Sequence, residues 1–216
     1  MSCPVCSSAA AEIYLKKRKC GREYYICRSC FHVYLDAKYF LKRDEEFQHY
    51  QRHNNDVEDK AYQDFVLPLI KFIEVYTNKE VFGLDYGCGP GPVIAYLLKK
   101  RGYSIDLYDP FFLEDKKLEL DSYDFLILSE VAEHFQNPVK EFQNLYELLN
   151  PGGYLFIMTA LLDSVKDFAS WHYHRDPSHV NFYSIKSLSK IASRAGFELM
   201  DTDHKKCTVL RRPHTT

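Results

Sequence analysis

From residue 81 onward, short apolar runs alternate with longer segments in which apolar residues recur at helical spacing. Continuous apolar runs suit parallel strands that are buried on both faces, and the periodic segments suit the helices that cover them. The predicted strands are residues 81–86, 104–108, 123–128, 154–159, 197–200 and 207–211, and the predicted helices are residues 93–101, 138–149 and 184–195. This alternation predicts an α/β fold with a doubly wound sheet.

The chain before this point has a different pattern. Residues 1–36 contain only short strand candidates, at 12–16 and 23–26, with a further alternating run at 31–35. This module is too small to bury a core of its own. Residues 44–53 and 56–75 predict helices, the second capped by Asp56. We therefore predict three parts, listed here as a small module at 1–36, a helical linker and lid at 37–79, and a main domain at 80–216.

Composition narrows the class of protein. The 216 residues are 46% hydrophobic and 15% aromatic, which is enough for one substantial core with a small appended module. The net charge of −2 gives no overall basic surface of the kind that binds nucleic acid without sequence preference, so no DNA partner is expected. No apolar run approaches the roughly 20 residues that cross a bilayer, and no leader pattern opens the chain. We expect a soluble, cytoplasmic protein without a membrane partner.

Four of the seven cysteines form two Cys-x-x-Cys pairs, Cys3 with Cys6 and Cys27 with Cys30, and the segment 7–26 separates the pairs. Two such pairs at this spacing supply four thiolates for tetrahedral zinc. A redox pair is the alternative, but it would need a thioredoxin-like βαβ context that the intervening residues do not offer. The spacing predicts that residues 1–36 form a zinc ribbon with a structural Zn²⁺ ion.

This predicted ribbon carries six basic side chains against three acidic ones, unlike the acidic remainder of the chain. Such a surface could contact phosphate groups, for example of an RNA. It could equally be a hairpin tip whose charges only face water.

A glycine-rich turn follows the first strand of the main domain. The sequence from Leu84 reads Leu-Asp-Tyr-Gly-Cys-Gly-Pro-Gly, and a second apolar run ends at Asp109. Dinucleotide-binding turns usually have the spacing Gly-x-Gly-x-x-Gly, whereas this one has Gly-x-Gly-x-Gly. The carboxylate of Asp85 would repel a pyrophosphate and attract a cationic amino group. The alternative is an ordinary tight turn between a strand and a helix.

This stretch resembles the class I S-adenosylmethionine-dependent methyltransferases. The resemblance implies that the glycine turn lies beneath the amino-acid half of S-adenosylmethionine and that the acid after the second strand, Asp109, binds both ribose hydroxyls. It also implies a Rossmann-like sheet of seven strands in the order 3-2-1-4-5-7-6, with the last strand antiparallel. Only the short segment 110–122 separates Asp109 from Tyr123, so we expect a shortened third strand at 117–120. The cofactor-binding residues are predicted to be Asp85, Gly87, Cys88, Gly89, Gly91, Asp109, Ser129 and Glu130.

Two further segments carry candidate chemistry. The run around Ser129 and Glu130 resembles the segment that borders the methyl group in this family, and His134 shares the face of Glu130 if a helical turn follows. We predict that Glu130 and His134 assist catalysis. Alternatively, Glu133 and His134 belong to a solvated turn.

The second segment, residues 171–183, reads Trp-His-Tyr-His-Arg-Asp-Pro-Ser-His-Val-Asn-Phe-Tyr and lies in a long connection of the kind that often forms a lid. It is similar to a run in small bacterial methyltransferases that carry N-terminal ribbons. We predict His179 as a general base that Asp176 orients. The alternatives are a second metal site made by His174, Asp176 and His179, or histidines that only pack the loop.

The favoured function is methyl transfer to a small molecule. An RNA methyltransferase is the first alternative, since a ribbon before this domain resembles the arrangement in ribosomal RNA guanine methyltransferases. Against it stand the acidic body and the absence of a motif for a flipped base. A non-catalytic scaffold that binds the cofactor is the third.

Overall fold

Two β-sheets form the framework of the chain. The computed structural model describes residues 2–17, 21–52, 56–113 and 117–214. The strands are β1 Ala11–Lys16, β2 Glu23–Cys27, β3 Val33–Leu35, β4 Phe82–Tyr86, β5 Ser104–Tyr108, β6 Tyr123–Ser129, β7 Leu149–Met158, β8 Asn181–Phe182, β9 Glu198–Thr202 and β10 Cys207–Arg211. The α-helices are α1 Arg43–Tyr50, α2 Lys60–Tyr76, α3 Val93–Lys100, α4 Pro138–Leu148 and α5 Ile185–Ala195.

The larger sheet has the strand order β5-β4-β6-β7-β10-β9. Strands β4 to β7 pair in parallel, and β10 is antiparallel to both of its neighbours. This topology confirms the Rossmann-like α/β class and the antiparallel last strand. It has six strands among the described residues, so the expectation of seven is not met.

The missing element is the third strand predicted at 117–120. These residues form no strand, and β5 is the edge of the sheet. The carboxylate of Asp109 accepts hydrogen bonds from the backbone N–H groups of Phe111 and Phe112, which starts a turn instead of a helix. The segment 110–122 is too short to hold a turn, a helix and a strand in succession. Residues 114–116 lie outside the described part.

Both faces of this sheet are covered by helices, because β6 and β7 place apolar side chains on both sides. In β6, Phe125 and Ile127 point to the core shared with α2 and α3. Their neighbours Leu126 and Leu128 point to the core shared with α4 and α5. Gly83 in β4 allows this packing, since a Cβ atom there would lie 2.2 Å from Cζ of Phe125.

The helix ends follow their local signals, with two differences. Asn137 caps α4 with Pro138 in its first turn, and Ser184 caps α5, which confirms both predicted starts. Helix α2 begins later than predicted because the cap is the carboxylate of Asp59, while Asp56 accepts a hydrogen bond from Glu58 N in the preceding turn. Helix α1 ends at Tyr50, and the predicted end at residue 53 lies outside the described residues.

The smaller sheet has the order β1-β2-β3-β8. Its first three strands belong to residues 1–36, but β8 comes from the long connection after β7, residues 159–183, which we call the lid segment. Val33 pairs with Phe182 and Tyr34 with Asn181. The predicted ribbon and the lid segment therefore share one sheet.

None of the helices in the described ranges combines the length and the apolar composition that a membrane crossing requires.

Candidate active site

A cavity of about 1260 Å³ opens at the carboxyl ends of β4, β5 and β6, the position at which open α/β sheets bind ligands. Its walls also include residues of α1, α2 and the lid segment. All the residues predicted for the cofactor or for catalysis line it, namely Asp85, Gly87, Cys88, Gly89, Gly91, Asp109, Ser129, Glu130, His134, Asp176 and His179.

The glycine turn forms the floor of one half, which we call the cofactor half. Gly87 has a φ of 76°, a conformation that favours glycine, and a Cβ atom there would lie 2.6 Å from Cγ2 of Val131. The N–H groups of Gly87 and Cys88 both donate to the carbonyl of Tyr108, at 2.8 and 3.1 Å. These bonds tie the turn to the end of β5 and fix its backbone at the cavity wall.

Asp109 is held in place by the backbone around it. Its Oδ2 accepts from the N–H of Gly89 at 2.8 Å, and its Oδ1 accepts from the N–H groups of Phe111 and Phe112 at 2.8 and 3.1 Å. The side chain is buried apart from its access to the cavity. Oδ2 keeps a free lone pair, so an oriented acceptor faces any hydroxyl group bound there.

Asp85 lies at the end of β4 and is nearly fully buried. Burial raises its pKa to about 7, and the negative charge of Asp109 adds to this shift. A cationic group bound in the cavity would favour the carboxylate and lower the pKa again.

Ser129 and Glu130 stand at the end of β6. The Oγ of Ser129 is buried and has no hydrogen-bond partner within the described part of the chain. Glu130 adopts a φ of 54° while its N–H donates to the carbonyl of Met158 at 2.8 Å. Burial and the nearby charge of Glu133 raise the pKa of the Glu130 carboxyl well above its usual range.

The other half of the cavity, the acceptor half, is enclosed by α1 and the lid segment. Tyr50 of α1 packs edge-on against Phe111 and His134. Nε2 of His49 lies 3.0 Å from Oδ1 of Asp176 and 3.1 Å from its Oδ2, which ties α1 to the lid segment. Aromatic side chains and the contact between His49 and Asp176 thus close this end of the cavity.

The predicted pairing of Asp176 with His179 is wrong. Nδ1 of His179 donates to the carbonyl of Tyr173 at 2.8 Å, and this bond orients the ring. Asp176 instead bonds to His49 and to the N–H of Ser178. Burial lowers the pKa of His179 to about 4, so the ring is neutral at pH 7 but a weak base for that pH.

Glu133, for which the sequence predicted only a possible solvated turn, lies directly beside the cavity-lining residues His134 and His179. It is fully buried and accepts a hydrogen bond from the hydroxyl of Tyr173. Nε2 of His179 lies 4.0 Å from its Oε1. The only signal in the sequence was its position beside His134, and the burial depends on a segment 40 residues away.

The predicted metal ligands of the lid segment are also corrected. His174 is buried and stacks on Phe168 with ring centroids 5.0 Å apart, while its edge faces Tyr24. It does not join Asp176 and His179. The cluster of potential ligand atoms that the structure does form contains Glu133, His134 and His179.

The family described as "Methyltransferase domain" matches residues 46–202. The chain belongs to this methyltransferase family. It is an S-adenosylmethionine-dependent methyltransferase with the class I fold, and the cavity lies where that fold binds its cofactor.

Individual relatives of the methyltransferase are distant. The biotin biosynthesis bifunctional protein BioHC of Teredinibacter turnerae is 29% identical over 54% of this chain, which spans about a quarter (26%) of that protein's length. A chain from the complex of the Haloferax volcanii Trm112 methyltransferase activator with a methyltransferase has 15% identity and a TM-score of 0.57, over 81% of this chain and all of that one.

The Burkholderia thailandensis 1,6-didemethyltoxoflavin-N1-methyltransferase, solved with 1,6-didemethyltoxoflavin and S-adenosylhomocysteine, has 14% identity and a TM-score of 0.52. That match covers 94% of this chain and 99% of the other. At these identities both structures show a shared fold and nothing more about the acceptor.

The N-terminal part of the methyltransferase brings together the four cysteines of its two Cys-x-x-Cys pairs. The sulfur atoms of Cys3 and Cys30 are 3.6 Å apart and those of Cys6 and Cys27 are 3.5 Å apart, with all four within 4.8 Å of one another. These distances exclude disulfides. They fit a tetrahedral ion, since zinc–sulfur bonds of about 2.3 Å place the sulfurs about 3.8 Å apart.

Proposed function

We propose that this methyltransferase transfers a methyl group from S-adenosylmethionine to a small-molecule acceptor. The observation that carries the proposal is one continuous cavity that runs from the glycine turn to the lid segment. Its volume of about 1260 Å³ exceeds the roughly 300–1,000 Å³ of most ligand sites. It therefore has room for a cofactor together with a small acceptor.

The residues around the cofactor half fit S-adenosylmethionine. Asp109 would accept hydrogen bonds from the ribose hydroxyls, and the backbone of Gly87 and Gly89 would pass beneath the amino-acid part. Asp85 would face the cationic amino group. The unpartnered Oγ of Ser129 supports a ligand at the end of β6.

The bound cofactor would supply a methyl group already activated on a sulfonium, so the protein has chiefly to align the acceptor and exclude water. Tyr50, Phe111 and Tyr173 would exclude water from the acceptor half. Glu130, His134 and His179 would contact the acceptor or orient it.

The contacts of the ribbon favour a small acceptor over RNA. Among its described basic residues, Lys16 pairs with Glu23 and Arg28 pairs with Glu12. Arg22 donates to the carbonyl of Pro177 at 3.0 Å and so contacts the lid segment. These three cations have partners within the protein, which reduces the free positive surface that RNA recognition would need, while Arg18 and Lys19 lie outside the described residues.

We also propose that Cys3, Cys6, Cys27 and Cys30 bind one structural Zn²⁺ ion. The metal would fix the ribbon, and the ribbon holds the lid segment through β8 and through a hydrogen bond from Tyr24 Oη to the carbonyl of His174 at 3.1 Å. The division into a ribbon at 1–36, a helical linker and lid at 37–79 and a methyltransferase domain at 80–216 is part of this proposal.

The test is to incubate the protein with S-adenosylmethionine labelled in its methyl group and a cell extract that has been separated into small molecules and RNA. We expect label in the small-molecule fraction. Gly87→Ala should abolish this labelling, because the Cβ atom of the alanine would clash with Val131. Gly102→Ala is the matched control, since Gly102 also has a positive φ but its nearest contact is the flexible Lys79 side chain. Label in RNA alone would contradict the proposal.

A further inference from the structure

Three potential metal ligands meet at the wall of the acceptor half. Glu133 and His134 belong to a 3₁₀ turn, Ala132–His134, that follows β6, and His179 comes from the lid segment. One ligand atom from each lies within 4.8 Å of the other two. His134 and His179 also line the cavity. This cluster is distinct from the four cysteines of the ribbon.

Both histidines are held with one ring nitrogen free for a ligand. Nδ1 of His134 lies 3.1 Å from the carbonyl of Ser178, and Nδ1 of His179 lies 2.8 Å from the carbonyl of Tyr173. A carbonyl only accepts, so each Nδ1 carries a proton and Nε2 is the ring nitrogen that can offer a lone pair to a metal. Metal-binding histidines are commonly fixed by such a bond from the other nitrogen.

Glu133 supplies the negative charge of the cluster. It is fully buried, and its Oε1 accepts a hydrogen bond from the hydroxyl of Tyr173, which also contacts Oγ1 of Thr159 at 3.2 Å. Its Oε2 has no hydrogen-bond partner in the described part of the chain. A buried carboxylate oxygen without a partner is costly, and a bound cation would compensate it.

We propose that Glu133, His134 and His179 bind one divalent transition-metal ion beside the acceptor. Two imidazole nitrogens and one carboxylate form a ligand set that such ions accept while leaving coordination positions open. The open positions would face the cavity, where an oxygen atom of the acceptor, from a hydroxyl or carboxylate group, would complete the coordination. That last assignment rests on the proposed function, whereas the metal site itself does not.

Manganese distinguishes this site from the ribbon, because Mn²⁺ prefers oxygen and nitrogen ligands over thiolates. The experiment titrates the zinc-loaded protein with Mn²⁺ and follows the electron paramagnetic resonance signal of the free ion. We expect saturable binding of about one Mn²⁺ per chain. His134→Ala and His179→Ala should each weaken it by at least about tenfold.

His172→Ala is the matched control, because His172 lines the same cavity from the same segment but lies outside the cluster. It should bind Mn²⁺ as the unchanged protein does. Glu133→Gln keeps the shape and one acceptor oxygen while removing the charge, and it should also lose Mn²⁺. Calorimetric measurement of S-adenosylhomocysteine binding verifies that each variant is folded.

Two outcomes would overturn the metal site. One is no saturable Mn²⁺ binding to protein that still binds S-adenosylhomocysteine. The other is equal affinity in the His134, His179 and His172 variants. Either result leaves the methyltransferase proposal standing, since its test depends on labelled methyl transfer and not on a metal.

Discussion

The two halves of the cavity are built in different ways. The cofactor half comes from one stretch of the chain, in which backbone hydrogen bonds join the glycine turn to the end of β5 and the Asp109 carboxylate accepts a further bond from the turn. The acceptor half combines α1, the turn after β6 and the lid segment, and the lid segment in turn pairs with β3 of the ribbon.

This difference indicates where the protein is sensitive to distant change. The cofactor half rests on the parallel strands of the large sheet, of which β6 and β7 bury apolar side chains on both faces. The acceptor half depends on contacts between residues far apart in the chain, such as the bond from Nε2 of His32 to Oδ1 of Asn181 at 3.0 Å. Damage to the ribbon should therefore reach the acceptor half first.

Loss of the ribbon metal is the strongest test of this comparison. Cys27→Ser should reduce zinc content and lower the free energy of unfolding of the ribbon by an amount on the order of 5 kcal/mol, since a structural metal is part of the folding energy of so small a module. Methyl transfer should fall sharply, while the affinity for S-adenosylhomocysteine should change less than about threefold. Metal analysis, thermal unfolding and calorimetry measure the three effects.

The control is Cys207→Ser, which changes a buried thiol of the large sheet that lies outside the cysteine cluster. It should keep the zinc. A Cys27→Ser protein with full zinc content would contradict the ligand set, and one that loses cofactor affinity and turnover in equal measure would show that the two halves are not independent.

A substitution in the cofactor half tests the same comparison from the other side. Asp109→Ala should weaken the binding of S-adenosylhomocysteine by about 1 to 3 kcal/mol, because the ribose hydroxyls and the N–H of Gly89 lose their hydrogen-bond acceptor. Calorimetry measures the loss. Asp64→Ala, on the exposed face of α2, is the control. Unchanged affinity in Asp109→Ala would remove the residue from the cofactor site.

A smaller effect is expected at the junction of the ribbon and the acceptor half. Asn181 is buried, bonds to His32 and donates to the carbonyl of Phe135 at 2.6 Å. Asn181→Ala should destabilise the protein by about 1 to 3 kcal/mol and raise the KM for the acceptor with little change in cofactor affinity. Asn150→Ala breaks a comparable bond to Asp124 in the large sheet and should leave that KM unchanged.

The smallest effect concerns pH. Asp85 has a pKa of about 7 in the cofactor-free protein, so it is largely protonated below pH 7. A cationic amino group binds the ionised form better, and the affinity for S-adenosylhomocysteine should rise as the pH increases to 7 and level off above it, with a slope of at most about tenfold per pH unit. Asp85→Asn should remove this slope. Calorimetry at a series of pH values would reveal a pH-independent affinity if the assignment were wrong.

The same division separates what the sequence could predict from what it could not. The glycine turn and Asp109 depend on local spacing, so they were predictable. The strand order was an implication of the family resemblance that these residues carry, and it holds apart from the absent third strand. The burial of Glu133 and the partner of His179 depend on how the lid segment folds over the sheet. No local pattern encodes such a contact, and the pairing of β8 with the ribbon was missed for the same reason.

The shared small sheet also affects how the protein folds during synthesis. Residues Val33 and Phe182 pair directly, and their neighbours His32 and Asn181 are 149 positions apart. At the usual 5 to 20 residues per second of translation, the edge of β3 stays open for on the order of ten seconds before β8 emerges. An open edge of that kind can recruit a strand of another nascent chain. Fast translation of the residues between β3 and β8 would thus protect newly made chains from aggregation.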